Sequence, residues 1–285
     1  MKIEHLQPLG AVATELSLPD LDPGEVGRLQ GLLAWRGVVH FPDQALDDDG
    51  FLAFLGSFGA LAFTTGETPV AGHPELNLVT NVGRERPPRS SFHVDTSYIA
   101  RPPAYTALRA VTVPAEGGET VFTDQYRACE TLPATVRERL VGRTITHVAT
   151  GVQLGPDDEA AAEHPVFRPH PISGRVALYL TTPARCAAIS GIATDEAQDA
   201  IRYLYEHSIR SEYTLRHRWS AGDVVMWDNA CVLHRADHSG VRGERVMHRG
   251  MVAGYGPPEE GLHASVSPDT DADSAYWRDA LRVAR

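Results

Sequence analysis

The stretch Ser91-Phe92-His93-Val94-Asp95-Thr96-Ser97 decides how the rest of the chain is read. A histidine and an aspartate two residues apart in an extended segment project from the same face of a strand. An imidazole and a carboxylate aimed at one point make two-thirds of a facial iron site, which needs one more histidine and leaves positions open. With 13 histidines in 285 residues, roughly one His-x-Asp pair is expected by chance. The meaning of the pair therefore depends on what the rest of the chain supplies.

A candidate third ligand is His234, at the end of Trp227-Asp228-Asn229-Ala230-Cys231-Val232-Leu233-His234. Arg245 follows after a loop-like stretch, Arg235 to Gly243, so His234 and Arg245 are expected on neighbouring antiparallel strands facing one interior. An arginine there can grip a carboxylate with two parallel hydrogen bonds. Thr120, just after the Gly117-Gly118 turn, can add a hydroxyl. Three protein ligands beside a clamp for a dicarboxylic acid suggest iron chelated by 2-oxoglutarate.

Composition narrows the field. Apolar residues at 42% and charged residues at 22% describe an ordinary globular protein. The net charge of -11 argues against nucleic acid, which needs a basic surface, and against an anionic membrane. The three cysteines, Cys129, Cys186 and Cys231, are far apart and form no C-x-x-C pair, which reads as reduced thiols in a cytoplasmic protein. No apolar run reaches membrane-spanning length, and residues 1–7 lack a signal-peptide pattern. A homo-oligomer is compatible with all of this.

The chain reads as a single domain over residues 1–285, without repeat or linker. Residues 22–36 predict a helix capped by Asp22, with Pro23 in its first turn and Gly37 at its stop. A buried strand at 38–41 and a second helix at about 47–57 follow. Strands are expected at 75–80 and 104–113, with Pro114 to Gly118 turning the latter back into a hairpin partner at 119–123. Residues 124–141 read as a helical insertion broken at Pro133, 143–149 as a strand and 151–164 as a surface excursion. Strand texture resumes at 165–181, turning at Ser173-Gly174. A helix capped by Thr194 covers 194–209, and strands at 213–219, 223–227, 232–235 and 244–253 close the fold. The tail beyond Gly256 reads as irregular with a short helix. Many short strands with helices in the first third and in the connections fit a mainly β fold, a jelly-roll barrel flanked by helices. A doubly wound sheet would need β-α alternation and a G-x-G-x-x-G loop, and both are missing.

The chain resembles the taurine dioxygenase (TauD/TfdA-like) branch of the iron- and 2-oxoglutarate-dependent dioxygenases. The resemblance rests on His93 to Tyr98 with Arg101-Pro102-Pro103-Ala104, on Gly117-Gly118-Glu119-Thr120, and on His164-Pro165-Val166 with His170 to Gly174. It continues through Trp227-Asp228-Asn229, His234 and Arg245-Val246-Met247-His248-Arg249, in the family's order and spacing from about residue 30 to 254. It implies a double-stranded β-helix, of cupin-like type. It implies Fe(II) on His93, Asp95 and His234, with Thr120 and Arg245 on the distal carboxylate of 2-oxoglutarate. The implied reaction consumes O2, releases succinate and CO2, and hydroxylates a substrate; desaturation, or cleavage after hydroxylation, uses the same centre. Sulfonate, phosphonate or carboxylate catabolism and natural-product pathways are both settings for such chemistry. A cupin-like metal-binding protein without turnover is the alternative, and it would need the triad but not the clamp.

Arg249 lies four residues beyond Arg245, so both should face one interior while His248 faces away. An unpaired buried arginine is costly. Arg249 therefore calls for a second anion, either the acidic group of a small substrate or an internal carboxylate. Taurine-type members carry a His and a Tyr where Thr64 and Glu67 stand here, so taurine does not fit, and Glu67 suits an amine. Arg89 and Tyr98 are candidates for a lid over residues 82–92. Trp227 reads as core, Asp228 and Asn229 as turn-formers, and His73, His170 and His238 as structural or surface histidines.

Overall fold

A computed structural model describes residues 1–84 and 90–254. The expected tail beyond Gly256 and the middle of the lid segment, Arg89 included, lie outside the described residues. In chain order the first part runs β1 (Lys2–His5), β2 (Ala11–Thr14), α1 (Pro23–Arg36), β3 (Val38–Phe41), α2 (Asp48–Phe58), β4 (Leu61–Ala62), β5 (Pro69–Val70), β6 (His73–Thr80) and β7 (Tyr105–Thr112). The middle holds β8 (Thr120–Asp124), α3 (Gln125–Glu130), α4 (Ala134–Leu140), β9 (Thr144–Val148), β10 (Ala161–Pro165), β11 (Phe167–Pro169), β12 (Val176–Leu178) and β13 (Cys186–Ile189). The last part holds α5 (Thr194–Ser208), β14 (Thr214–His217), β15 (Val224–Asp228), β16 (Val232–Ala236) and β17 (Val246–Val252).

A nine-stranded sheet runs β1-β2-β3-β15-β7-β17-β6-β5, with β4 also on β17. A three-stranded sheet, β14-β8-β16, carries His234. Both faces of the large sheet are covered, which is why β15 is buried at every position instead of alternating. Val224 and Met226 pack with Leu29, Leu33, Phe51 and Phe54 of α1 and α2. Val225 and Trp227 point the other way and share a core with Phe122 of β8 and Val232 of β16. Period-two alternation thus sorts one strand between a helix layer and a sheet layer. A third core, built from Leu180, Ile189, Ile201, Leu204 and Tyr213, closes the middle region under α5. The architecture is strand-rich and mixed α/β.

Local signals explain most of the elements. Asp22 accepts from Glu25 N, and the Glu25 side chain accepts from Asp22 N, a reciprocal capping box ahead of Pro23. Gly37 ends α1 at φ +74°, and a Cβ there would meet Val232 Cγ2 at 2.5 Å. The helical insertion breaks at Pro133 as expected.

Four expectations are corrected. β7 and β8 are not a hairpin but belong to opposite sheets. The connection Pro114 to Gly118 crosses between them, held by Ala115 N donating to Arg242 O at 3.0 Å and by left-handed Gly117 and Gly118. Residues 161–165, read as surface excursion, form β10 on β9. Thr194 is the first residue of α5 rather than its cap, a one-residue difference at a helix end. β1 and β2 were not foreseen: β1 is short and polar, and β2, Ala-Val-Ala-Thr, is too short and alanine-rich to stand out as a strand. Among the described residues no helix is long and apolar enough to cross a membrane, and all three cysteines are buried free thiols.

Replacing Asp22 by Ala removes the cap and is expected to cost about 1 kcal/mol. That would lower Tm by roughly 2–4 °C in a circular-dichroism melt. An unchanged Tm would mean that the capping box contributes nothing to stability.

Candidate active site

His93 is not part of a regular strand. It makes a single antiparallel bridge to His234, with each backbone N donating to the other's carbonyl at 3.0 Å. A tight turn follows at Asp95, with Thr96 at φ +47°. The expectation of one extended segment is corrected to a bridge followed by a turn, and the turn brings the carboxylate back toward both rings. His93 Nε2 lies 3.6 Å from Asp95 Oδ1, and His234 Nε2 lies 3.6 Å from Asp95 Oδ2. The three side chains form a group that could hold a metal ion.

The surroundings orient this group. His93 Nδ1 donates to Ser91 O at 2.9 Å, which leaves Nε2 free to face Asp95. Asp95 Oδ2 accepts from Thr106 Oγ1 at 2.9 Å, and Thr106 Oγ1 accepts from Asn229 Nδ2 at 2.8 Å. Asn229, read from sequence as a turn-former, is thus the outer end of a relay that aims the carboxylate. Thr106 carried no signal, because a threonine in a β-run is ordinary. Trp227 packs its ring 4.5 Å from that of His234, so it is core and site wall at once.

Electrostatics set the protonation state. Burial acts to raise the Asp95 carboxyl, but His234, Arg249 and His93 outweigh it and hold it well below the usual carboxylate range. Burial pushes the His234 imidazole down to about 3 against the pull of Asp95. A carboxylate anion beside neutral imidazole is the state that binds a divalent cation without first losing protons.

His93 and His234 line a cavity of about 640 Å³. Arg245 lines it and is 2% exposed. Its Nε donates to Gly118 O at 2.9 Å, and its backbone N donates to Asn81 Oδ1 at 2.7 Å. A Cβ on Gly118 would sit 3.1 Å from Arg245 Cδ, so the glycine turn makes room for this side chain. Arg245 Nη2 is buried without a hydrogen-bond partner, and burial pushes the guanidinium down to about 10. Thr120 lines the same cavity, its Oγ1 accepting from Trp219 Nε1 at 3.0 Å. His234 and Arg245 are not on neighbouring strands. They come from opposite sheets, and the cavity lies between them.

Arg249 also lines the cavity, while His248 faces the helices and bonds Asp48 Oδ1 at 2.6 Å. Of the two partners expected for Arg249, the structure shows the internal carboxylate. Arg249 lies 3.5 Å from Asp95 Oδ1 and from Glu67 Oε1, and 3.3 Å from Asn77 Oδ1. Glu67 lines the cavity, but Thr64 and Tyr98 do not. Thr64 Oγ1 instead meets Thr96 Oγ1 at 3.1 Å, bracing the Asp95 turn, and Tyr98 is buried. His238 lines the cavity, whereas His170 is buried against Asp228 at 2.9 Å. Among the described residues, four arginines (84, 185, 245 and 249) and one glutamate line the cavity of a chain whose net charge is -11. Arg84 falls in the expected lid segment, whereas Arg185 had no motif to reveal it.

Comparison with known proteins agrees with this geometry. Residues 2–251 match the family described as taurine catabolism dioxygenase TauD, TfdA family. The chain is 31% identical to the alpha-ketoglutarate-dependent 2,4-dichlorophenoxyacetate dioxygenase of Cupriavidus pinatubonensis, over 86% of this chain and 94% of that protein. Its fold is similar to that of a taurine dioxygenase from Burkholderia xenovorans, with a TM-score of 0.78 and 32% identity over 90% and 93% of the two chains. AAD-2 in complex with Mn(II) and N-oxalylglycine is equally similar in fold, at TM-score 0.78 and 26% identity over 90% and 99%. The chain belongs to the TauD/TfdA family and is an alpha-ketoglutarate-dependent dioxygenase, an oxidoreductase.

Proposed function

We propose that this enzyme is an Fe(II) dioxygenase that oxidises a small anionic organic substrate. In this reading His93, Asp95 and His234 bind the iron, and Arg245 with Thr120 binds the distal carboxylate of alpha-ketoglutarate (2-oxoglutarate). One observation carries it: the buried, partnerless Nη2 of Arg245 shares a cavity with a two-histidine, one-carboxylate group. A buried guanidinium without an acceptor is costly unless a ligand supplies one. The donor set fits non-haem Fe(II), and it leaves positions open for cosubstrate and O2. The whole chain is read as one domain, and the two sheets around the cavity as the halves of a double-stranded β-helix.

When bound, the iron and alpha-ketoglutarate supply the oxidising chemistry, with O2 consumed and succinate and CO2 released as the substrate is oxidised. The chain's own residues bind, orient and exclude water. The Asn229–Thr106 relay fixes the Asp95 carboxylate, and the Ser91 carbonyl fixes the His93 tautomer. Trp227 and Phe122 wall the site on one side with apolar rings, which keeps charge interactions inside strong. Arg249 places the substrate's anionic group beside the metal ligands, in exchange for Glu67. Two of the named relatives are described by substrates with an acidic group, a phenoxyacetate and taurine. The arginine-rich lining supports the same class here.

Three outcomes test this reading. His234→Ala is expected to abolish Fe(II) binding in an anaerobic titration with the fold intact by circular dichroism; near-normal iron binding would refute the triad. Removing a partner from a buried charged pair costs about 2–5 kcal/mol, and each 1.4 kcal/mol is about tenfold. Arg245→Ala should thus weaken alpha-ketoglutarate binding to the Fe(II) enzyme by more than about tenfold, and Thr120→Val by less. An unchanged midpoint for Arg245→Ala would move the clamp elsewhere. Glu67→Gln removes the internal competitor on Arg249, so KM for a purely anionic substrate should fall while KM for alpha-ketoglutarate stays put. Equal changes in both constants would take Arg249 out of substrate binding.

A further inference from the structure

We propose a second metal site, formed by His40, His217 and Asp223, that takes a divalent transition-metal ion of the zinc type. It uses none of the residues that build the active site. His40 lies on β3, His217 ends β14 and Asp223 immediately precedes β15. The site therefore spans the large sheet and the small one. His40 Nε2 is 3.1 Å from Asp223 Oδ1, and His217 Nε2 is 3.3 Å from Asp223 Oδ2. Ligands about 2.0–2.2 Å from a tetrahedral zinc stand roughly 3.3 Å apart. Both histidine-to-carboxylate distances are near that spacing, and the three ligand atoms lie within 4.8 Å of one another.

Two features separate this from an ordinary hydrogen-bonded cluster. Both Nε2 atoms are buried and make no aligned hydrogen bond, although each is close to a carboxylate oxygen. The His217 side chain is nine-tenths buried, so only the poorly aligned Asp223 carboxylate, or an ion between them, can satisfy its Nε2. The two rings are also 4.5 Å apart by centroid. Two imidazolium ions at that distance would repel, whereas two neutral rings sharing one cation would not. Burial lowers His217 toward the neutral form, and His217, His40 and the Ser220 amide hold Asp223 ionised against burial. The outer contacts are in place as well. Ser220 N donates to Asp223 Oδ2 at 2.8 Å, and Trp219 packs edge-on against His217 at 4.6 Å. His40 is one-fifth exposed, which gives an ion a route in and room for a water ligand.

Among the described residues the other three-residue group outside the active site, His170, Asp228 and Cys231, differs. It is fully buried and closed by the 2.9 Å bond between His170 and Asp228. An ion on His40, His217 and Asp223 would instead tie the sheets together next to β8, where His217 is opposite Thr120.

The test uses the full-length, tag-free chain stripped of metal, titrated with Zn(II) by calorimetry and with Co(II) by absorption. The His93→Ala/His234→Ala chain should still bind one equivalent, raise its Tm on binding, and show the visible bands of Co(II) in a low-symmetry site. Adding His40→Ala should weaken that equivalent at least tenfold and cancel the Tm rise. Should the double variant fail to fold, His40→Ala and His40→Gln in the otherwise unchanged chain should each reduce two equivalents to one, with circular dichroism intact. The proposal is overturned if the double variant binds no Zn(II), or if either His40 substitution leaves the stoichiometry and Tm shift unchanged. Loss of catalytic iron binding in the same variants reports separately on the active-site reading.

Discussion

The reciprocal backbone pairing of His93 and His234 is the constraint on which the site depends. Two amide-to-carbonyl bonds hold both imidazoles on one side of a single bridge, at a spacing set by backbone geometry. The turn after His93 then has only to return Asp95, and the left-handed Thr96 makes that turn tight. Strain at one residue is tolerated where the surroundings fix it. Here Thr64, Thr106 and Asn229 do so by hydrogen bonding on either side of the turn.

The second organising feature is the large sheet, buried on both faces. Its outer face takes the helices, with Arg109, Asp48 and His248 closing a polar contact beneath α2. Its inner face turns Leu108, Trp227, Arg245 and Arg249 toward the cavity. The same alternation that sends His248 outward sends Arg249 inward, so helix packing and cavity charge are set by one strand. The small sheet supplies His234 and Thr120 from the other side. Acidic surface and arginine-lined interior are thereby separated, and the field inside favours anions although the whole chain is negative.

Within the cavity the two inward arginines differ in what the protein already gives them. Arg245 has a carbonyl on Nε and nothing on Nη2. Arg249 touches Asp95, Glu67 and Asn77. A ligand carboxylate meets an open acceptor position at Arg245 but must compete at Arg249. This asymmetry fits tight holding of a common cosubstrate beside more discriminating contact with a variable one.

The sequence by itself determined the elements with strong local signals, because those signals act over a few residues. Asp22 with Pro23 and Gly37 bounded α1, Pro133 broke the insertion, and the apolar runs located β15, β16 and β17. It also singled out His93, Asp95, His234, Thr120 and Arg245 as candidates, because ordered motifs leave a trace that composition does not. Only the tertiary structure decided which strands pair. Pro114 to Gly118 reads as a hairpin turn locally, yet it crosses between sheets because β7 is already flanked by β15 and β17. Only the tertiary structure revealed Thr106, Asn229 and the partners of Arg249, since a hydrogen bond between residues far apart in the chain leaves no periodicity behind. Charge count and spacing could say that Arg249 faces inward; which carboxylate it meets there depends on the approach of Glu67 and Asp95 from separate segments.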